Sequence, residues 1–378
     1  MVKYHGNKKT KAKGGIGMYS FFAGGRTEIG GNHTDHQGGC ILGASVEQGI
    51  HALAEPSNKD LIHIESAGFG TIEIDIGDTE PRAEEAETPA ALVRGMMNCF
   101  IESGNVFGGF NAEISSDIPA GSGISSSAAF EVLIGRIISG LYFENSVPAV
   151  RIAQFGKIAE NDYFGKPCGL MDQLICSLGG TVFADFSDAE MPVCRNIDFD
   201  FSKSGYSVAV IDCKASHADL TEDYAGIVKD MGLVAWNMGY KLLSEADEAE
   251  FIAQFPILRQ RCGERAMMRA LHYYEETRRA KEEAEALENG DFKKFLEVYR
   301  ESAKSSEEKL KNIISENEPK QLLKKAIDSA RAVLGENGAA RVHGGGFAGT
   351  AQAIVPDEMA EDFVAEMEKQ GFGVMFVL

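Results

Sequence analysis

The chain has 378 residues, with 37 Lys and Arg against 57 Asp and Glu, for a formal net charge of −20. This acidity argues against a nucleic-acid-binding surface, which needs clustered positive charge, and a composition 44% hydrophobic and 25% charged excludes global disorder. At roughly 100–200 residues per domain the length fits two domains. No run of about 18 apolar residues exists to span a bilayer, and the seven cysteines lack framework spacing, so they read as free thiols of a cytoplasmic protein.

The first fifteen residues, with Lys3, Lys8, Lys9, Lys11 and Lys13, read as a flexible basic tail rather than a signal peptide, because glycines and Arg26 arrive before any hydrophobic segment forms. Residues 16–23 are expected to enter as a strand. The alternation in 69–76 marks a half-buried strand. A helix is expected over 89–103, a strand over 106–114, and a glycine–serine loop at 119–127 opens an apolar helix to about 142. Pro148 suits the first turn of a helix reaching about Asp162. Val208–Ile211 reads as a buried strand. Residues 220–335 turn helical, with Asn289-Gly290 closing one helix and Asp291 capping the next. The charge run 281–288 is expected to be a solvated helix face. The last 40 residues return to strand-like runs around a glycine loop at 344–349. The order suggests an α+β protein in two halves, divided near 190–205.

Three stretches carry chemistry. In Pro119–Ala128, Gly121 and Gly123 allow positive φ and close backbone approach, and three serines lead into the start of a helix. Its N–H groups and dipole favour an anion there. The loop is neither a Walker A motif nor a dinucleotide turn. A glycine turn with one capping serine would explain part of it, but not three serines, so phosphate binding is the reading. In Gly25–Gly39, the residues Arg26, Asn32, His33, Asp35 and His36 would be poor core material. Treated as extended chain, the segment sends His33 and Asp35 to one face and His36 to the other, which disfavours a metal site and suits a hydroxyl-rich substrate. His343–Gly349 is ambiguous on its own.

Together these stretches resemble the GHMP kinase superfamily and, within it, the galactokinases. Gly25–Gly39 resembles the family signature "GRVNLIGEHTDYNGG" with unchanged spacing. Pro119–Ala128 resembles its nucleotide loop, Glu160–Gln173 resembles "EHxxxGxPCGIMDQ", and Ala340–Thr350 resembles its closing glycine loop. The resemblance implies a two-domain GHMP kinase fold, with an N-terminal half over 16–200 like domain 2 of ribosomal protein S5 and a ferredoxin-like C-terminal half over 201–378. The active site is expected between them. It implies ATP- and Mg2+-dependent phosphorylation of a sugar at its anomeric hydroxyl. By position, Asp172 resembles the catalytic base and Arg26 the arginine that stabilises the transferring phosphoryl group and lowers the pKa of that aspartate. Gly121, Ser122, Gly123, Ile124, Ser125, Ser126 and Ser127 would hold the ATP phosphates, and Ser127 and Glu160 match the magnesium ligands. Asn32, His33, Thr34, Asp35 and Gly169 fall on sugar-binding positions. His217 and Tyr224 keep a family spacing that makes Tyr224 a further sugar contact. The implied partners are a small sugar and ATP, with no nucleic acid or membrane, and a monomer or weak homodimer.

Four positions depart from the family pattern, and two of them bear on substrate. Asn32 stands for the family glutamate, His36 for a tyrosine, Asn161 for a histidine and Gly24 for a proline. A carboxylate at position 32 would repel a sugar C6 carboxylate by about 4 kcal/mol at 4 Å. Asn would not, and a protonated His36 would attract it. Both points favour D-galacturonate as a rival, with L-arabinose as a third, but D-galactose remains the default substrate because the rest of the resemblance is to galactokinases. A catalytically silent sugar sensor would predict a broken serine loop or a lost base, yet Arg26, Ser125–Ser127, Glu160 and Asp172 are all present.

Overall fold

The computed structural model describes residues 9–10, 18–68, 70–119, 121–215 and 220–378. His217, Phe69 and most of the expected basic tail lie outside the described residues. The chain forms two compact units. The first comprises Met1–Arg26, Ser45–Pro119 and Ile124–Gly180, and the second Thr27–Ala44, Ala120–Gly123 and Thr181–Leu378.

The first unit contains β1 (Lys9–Thr10), β2 (Met18–Gly30), β3 (Cys40–Pro56), β4 (Leu61–Ser66), β5 (Gly70–Asp75), α1 (Pro89–Glu102), β6 (Phe110–Ser116), α2 (Ser126–Tyr142), α3 (Ala149–Ile158) and α4 (Met171–Leu178). Strands β2 and β3 each run on into the second unit. Ile50–Pro56 of β3 pairs antiparallel with β6, β6 parallel with β4, and β4 antiparallel with β5. Helix α2 is apolar on nearly every side, and its residues 128–134 are all buried, the pattern of a helix enclosed by a core. Pro89 opens α1 at a position where no N–H is missed.

Three expectations needed correction here. Strand β2 runs to Gly30 rather than ending near residue 23. Strand β6 starts at Phe110 rather than 106, because its partner β3 ends at Pro56, opposite Phe110; Gly109 before it packs so closely that a Cβ there would lie 2.2 Å from the Lys59 carbonyl oxygen. The helix after Pro148 ends at Ile158 and continues as a π-helical turn, Ala159–Phe164. Such wide turns recur at functional sites.

The second unit adds β7 (Thr181–Asp185), β8 (Val193–Ile197), β9 (Tyr206–Ala215), α5 (Thr221–Met238), α6 (Glu248–Cys262), α7 (Glu264–Glu288), α8 (Phe292–Ser305), α9 (Leu322–Leu334), β10 (Ala339–Val342), β11 (Gly349–Pro356), α10 (Ala360–Lys369) and β12 (Gly373–Phe376). Cys40–Ala44 of β3 pairs with β7, and β7 with β8. A separate antiparallel sheet has the order β10-β11-β9-β12. Helix α9 faces its core with Leu323, Ala326, Ile327, Ala330 and Leu334, the helical spacing of an apolar stripe. Helix α10 was not expected from the sequence; it buries Phe363 and Met367, one turn apart. Asp291 caps α8 as expected, its carboxylate accepting from the Lys294 N–H at 3.0 Å.

The run 281–288 is not wholly a solvated face. Glu283 is fully buried on α7, and Ala284, Ala286 and Leu287 are buried with it. Burial, aggravated by the nearby Glu276 charge, pushes the Glu283 carboxyl well above its usual range, so it is held neutral. All seven cysteines are unpaired. Among the described residues, no helix is long and apolar enough to cross a membrane.

Candidate active site

The first unit holds a charged cluster at the start of α4. Arg26 lies on β2, where its own N–H is fixed by the Ile124 carbonyl at 2.9 Å. Its guanidinium grips Asp172 with two bonds of 2.7 Å, Nε to Oδ1 and Nη2 to Oδ2, the bidentate geometry that makes such pairs strong. Burial opposes ionisation of Asp172, but the Arg26 charge, its hydrogen bonds and one from Ser125 outweigh that penalty and leave the pKa below the usual carboxylate value. The Asp172 side chain retains 31% exposure against 8% for Arg26. It is thus an ionised acceptor still open to a ligand.

The three serines do different things. Ser125 precedes α2 in left-handed backbone, with φ 59°, and does not cap the helix. A non-glycine residue there is strained, and its hydroxyl instead donates to Asp172 Oδ2 at 2.5 Å. Ser127 donates to Glu160 Oε1 at 3.0 Å. Ser126 is the first residue of α2. Glu160 sits in the π-helical turn with its side chain 3% exposed. Its Oε2 accepts from Gln173 Nε2 at 2.7 Å, and the same amide reaches Glu131 Oε2 at 3.1 Å. Burial and the Glu160 charge push Glu131 well above the usual range. The sequence did carry a signal for Glu131: it is the lone carboxylate in the apolar helix 128–142.

The second unit holds the signature segment Thr27–Ala44. Gly31 has φ +86°, and a Cβ there would lie 2.3 Å from the Cys40 carbonyl oxygen, so only glycine fits. The segment then turns, with His33 at φ +60° and a 3-10 turn at Asp35–Gln37. The extended-chain treatment therefore fails: His33 and His36 meet edge to face with centroids 5.6 Å apart. Burial and the neighbouring His33 lower the His36 pKa to about 3, so His36 is neutral near pH 7. The expected attraction to a sugar carboxylate is absent.

Asn32 is fully buried and occupied by the protein. Its Nδ2 donates to Glu28 Oε1 at 2.9 Å and to the Gly344 carbonyl at 2.7 Å. Its Oδ1 accepts from Asn312 at 2.9 Å and Ser306 at 3.4 Å. Set against the signature, positions 28 and 32 are exchanged: Asn and Glu in the motif are Glu28 and Asn32 here. The carboxylate has moved four residues back, where Arg341 meets it at 2.6 Å. Thr34 is buried too, and donates to the Gly31 and Cys40 carbonyls. Asp35 and His33 remain half-buried.

The ambiguous glycine loop proves to be a scaffold. Three successive carbonyls, of Gly344, Gly345 and Gly346, accept from Asn32, from His33 at 2.9 Å and from Tyr224 at 2.9 Å. Gly345 touches the Tyr224 ring so closely that a Cβ would sit 2.5 Å from it. Behind the segment, α7 presents His272, Glu276, Arg279 and Glu283 at helical spacing. His272 Nε2 meets the Asn32 carbonyl at 3.0 Å, and Glu276 accepts from the Gly31 and Asn32 N–H groups at 3.3 and 3.4 Å. Burial opposes the Glu276 charge, but Arg279, His272 and Arg341 bring its pKa down to about 2. Gly121 and Gly123 also belong to this unit, both at positive φ, and Gly169, with Ile124, to the first.

Residues 11–56 match the galactokinase galactose-binding signature and residues 91–180 the GHMP kinase N-terminal domain. A galactokinase of Glaesserella parasuis is 30% identical over 90% of this chain and 86% of its own length. One from Actinobacillus pleuropneumoniae is 31% identical over the same shares. The crystal structure of Lactococcus lactis galactokinase complexed with galactose superposes with a TM-score of 0.80 at 25% identity, covering 95% of this chain and 93% of that one. The mevalonate kinase of Methanococcus jannaschii, at a TM-score of 0.66 and 14% identity, shares the fold. The chain belongs to the galactokinase family of the GHMP kinases.

Proposed function

We propose that the protein transfers the γ-phosphoryl group of ATP to the anomeric hydroxyl of D-galactose, giving galactose 1-phosphate and ADP. The observation that carries this reading is the ionised, partly open Asp172, held by Arg26 and Ser125. In this mechanism Asp172 accepts the proton of the sugar 1-hydroxyl as that oxygen bonds to the γ-phosphorus, and the bond to the β-phosphate oxygen breaks. Arg26 keeps Asp172 ionised and faces the charge that spreads over the phosphoryl oxygens. Positioning and charge neutralisation supply most of the catalysis in such transfers. Gly121–Ser127 would hold the nucleotide phosphates.

The residues present suit a hard divalent cation: a hydroxyl and a carboxylate oxygen 3.0 Å apart, Ser127 and Glu160, the latter already paired with the Lys166 ammonium. Magnesium held by them would neutralise phosphate charge.

Galactose is favoured over galacturonate by two observations: the relatives bear the name galactokinase, and the neutral His36 offers no cation to a C6 carboxylate. Asn32 and Thr34 are fully buried, so the half-buried His33, Asp35 and Tyr224 and the exposed Gly169 are the residues proposed to meet the sugar. The test is ADP release across D-galactose, D-galacturonate and L-arabinose. Galactose should lead on kcat/KM, and leadership by either rival would overturn the substrate assignment. Asp172→Asn should abolish turnover while ATP still binds; near-normal turnover would remove Asp172 as the base.

A further inference from the structure

Among the described residues of the first unit, Lys166 is a charged group beside the catalytic cluster that takes no part in the mechanism above. Its Nζ lies 3.1 Å from Glu160 Oε1, the same oxygen that accepts from Ser127. The two partners are unequally placed, the Lys166 side chain 63% exposed and that of Glu160 3%. The backbone fixes this pairing. The N–H groups of Gly165 and Lys166 both donate to the Glu160 carbonyl, at 3.1 and 3.0 Å, and Gly165 turns at φ +90°. Asn161 Oδ1 pins the next stretch by accepting from the Cys168 N–H at 2.7 Å. The π-helical turn thus folds position 166 back over the carboxylate six residues before it.

The charges balance without any added ion. Arg26 pairs with Asp172, and Lys166 with Glu160. Gln173 supplies two N–H bonds to the carboxyls behind, Glu131 and Glu160. A buried carboxylate left unpaired would be costly, and the ammonium relieves that cost. Being exposed and flexible, it can also leave, whereas Ser127 and Gln173 are held by their helices.

We propose that Lys166 is an internal counter-ion for Glu160, which competes with a divalent cation for Oε1 and turns to anionic phosphate oxygens when displaced. Lys166 is then a positioning residue that sets how much metal the enzyme needs. This inference builds on the reading of Glu160 as a metal-binding residue, and the experiment separates the two.

The measurement is Mn2+ binding, read by electron paramagnetic resonance, to protein in excess over the β,γ-imido analogue of ATP. Lys166→Met should tighten Mn2+ binding about two- to fivefold, the scale of a half-exposed ion pair, and lower by a similar factor the Mg2+ concentration for half-maximal turnover. Lys166→Arg, which keeps the charge, should bind Mn2+ like the parent, and Lys166→Gln is the neutral alternative should the Met variant fold poorly. Unchanged or weaker Mn2+ binding in the folded neutral variant, with Glu160→Gln still weakening it, overturns the competition alone. Undiminished Mn2+ binding in Glu160→Gln overturns both the competition and the metal-binding role of Glu160.

Discussion

The exchange of Asn and Glu between positions 28 and 32 makes a quantitative prediction. In Asn32→Glu, two donors vanish, those now serving Glu28 and the Gly344 carbonyl. The loss of hydrogen bonds to a buried charged or polar partner costs about 1–3 kcal/mol. The new carboxylate also faces that of Glu28, which Arg341 cannot neutralise twice. Two charges about 4 Å apart repel by about 4 kcal/mol at an effective dielectric of 20. The single variant should therefore be about 5–7 kcal/mol less stable in urea unfolding near pH 7. The loss should ease as pH falls, because one carboxyl of the pair has its folded pKa raised and gains stability when protonated. Adding Glu28→Asn restores one carboxylate and one amide in the pair. The double variant should recover most of the loss, giving a coupling energy of about 3–5 kcal/mol. A coupling below about 1 kcal/mol would show that the two side chains do not form one unit and would refute the argument.

Two further outcomes follow from the same geometry. Removing the guanidinium in Arg26→Met lifts the main influence that keeps Asp172 ionised. The acid limb of the kcat/KM profile for galactose should move to higher pH; the sign is that of a depressed carboxyl returning upward, so activity is lost at higher pH than in the parent. An unmoved limb would detach Asp172 from the titration that governs turnover. Glu283 has the opposite sign: its folded pKa is raised, so its contribution is complete below the unfolded carboxyl value and fades as pH rises. Glu283→Gln, already neutral, should match or exceed parental stability at pH 8 in thermal unfolding and lose the fade. A drop of more than about 1 kcal/mol there would mean that the carboxylate is ionised and paired.

Much of the site was legible in the sequence because its parts are local. Glycines before serines before an apolar helix mark the turn into α2, and Asp172 with Arg26 sit in motifs whose spacing survives intact. What escaped was the choice of partners across long sequence separations. Nothing near Asn32 shows that its amide is taken by Asn312 and Gly344, so it looked available to a sugar. His36 looked like a cation because burial is set by residues packed from elsewhere. Ser125 read as one of three phosphate-loop serines, and nothing near it shows that Asp172, 47 residues on, takes its hydroxyl. The charge run on α7 concealed Glu283 because a solvated face and an internal polar face have the same composition. Lys166 occupies a variable position of its motif, and only the π-helical turn gives it a neighbour.

The passage of β2 and β3 from one unit into the other bears on how the protein is made. The last residues of the first unit leave the ribosome at Gly180. Thr27–Ala44, however, needs the glycine loop and α7, both encoded in the roughly 200 residues that follow. At about 5–20 residues per second, the signature segment waits about 10–40 s for its partners, carrying Ile29, Ile41 and Leu42 that end fully buried. Nascent chains halted near residue 180 should therefore hold Thr27–Ala44 in a protease-sensitive state that chaperones recognise, while chains released at full length should not.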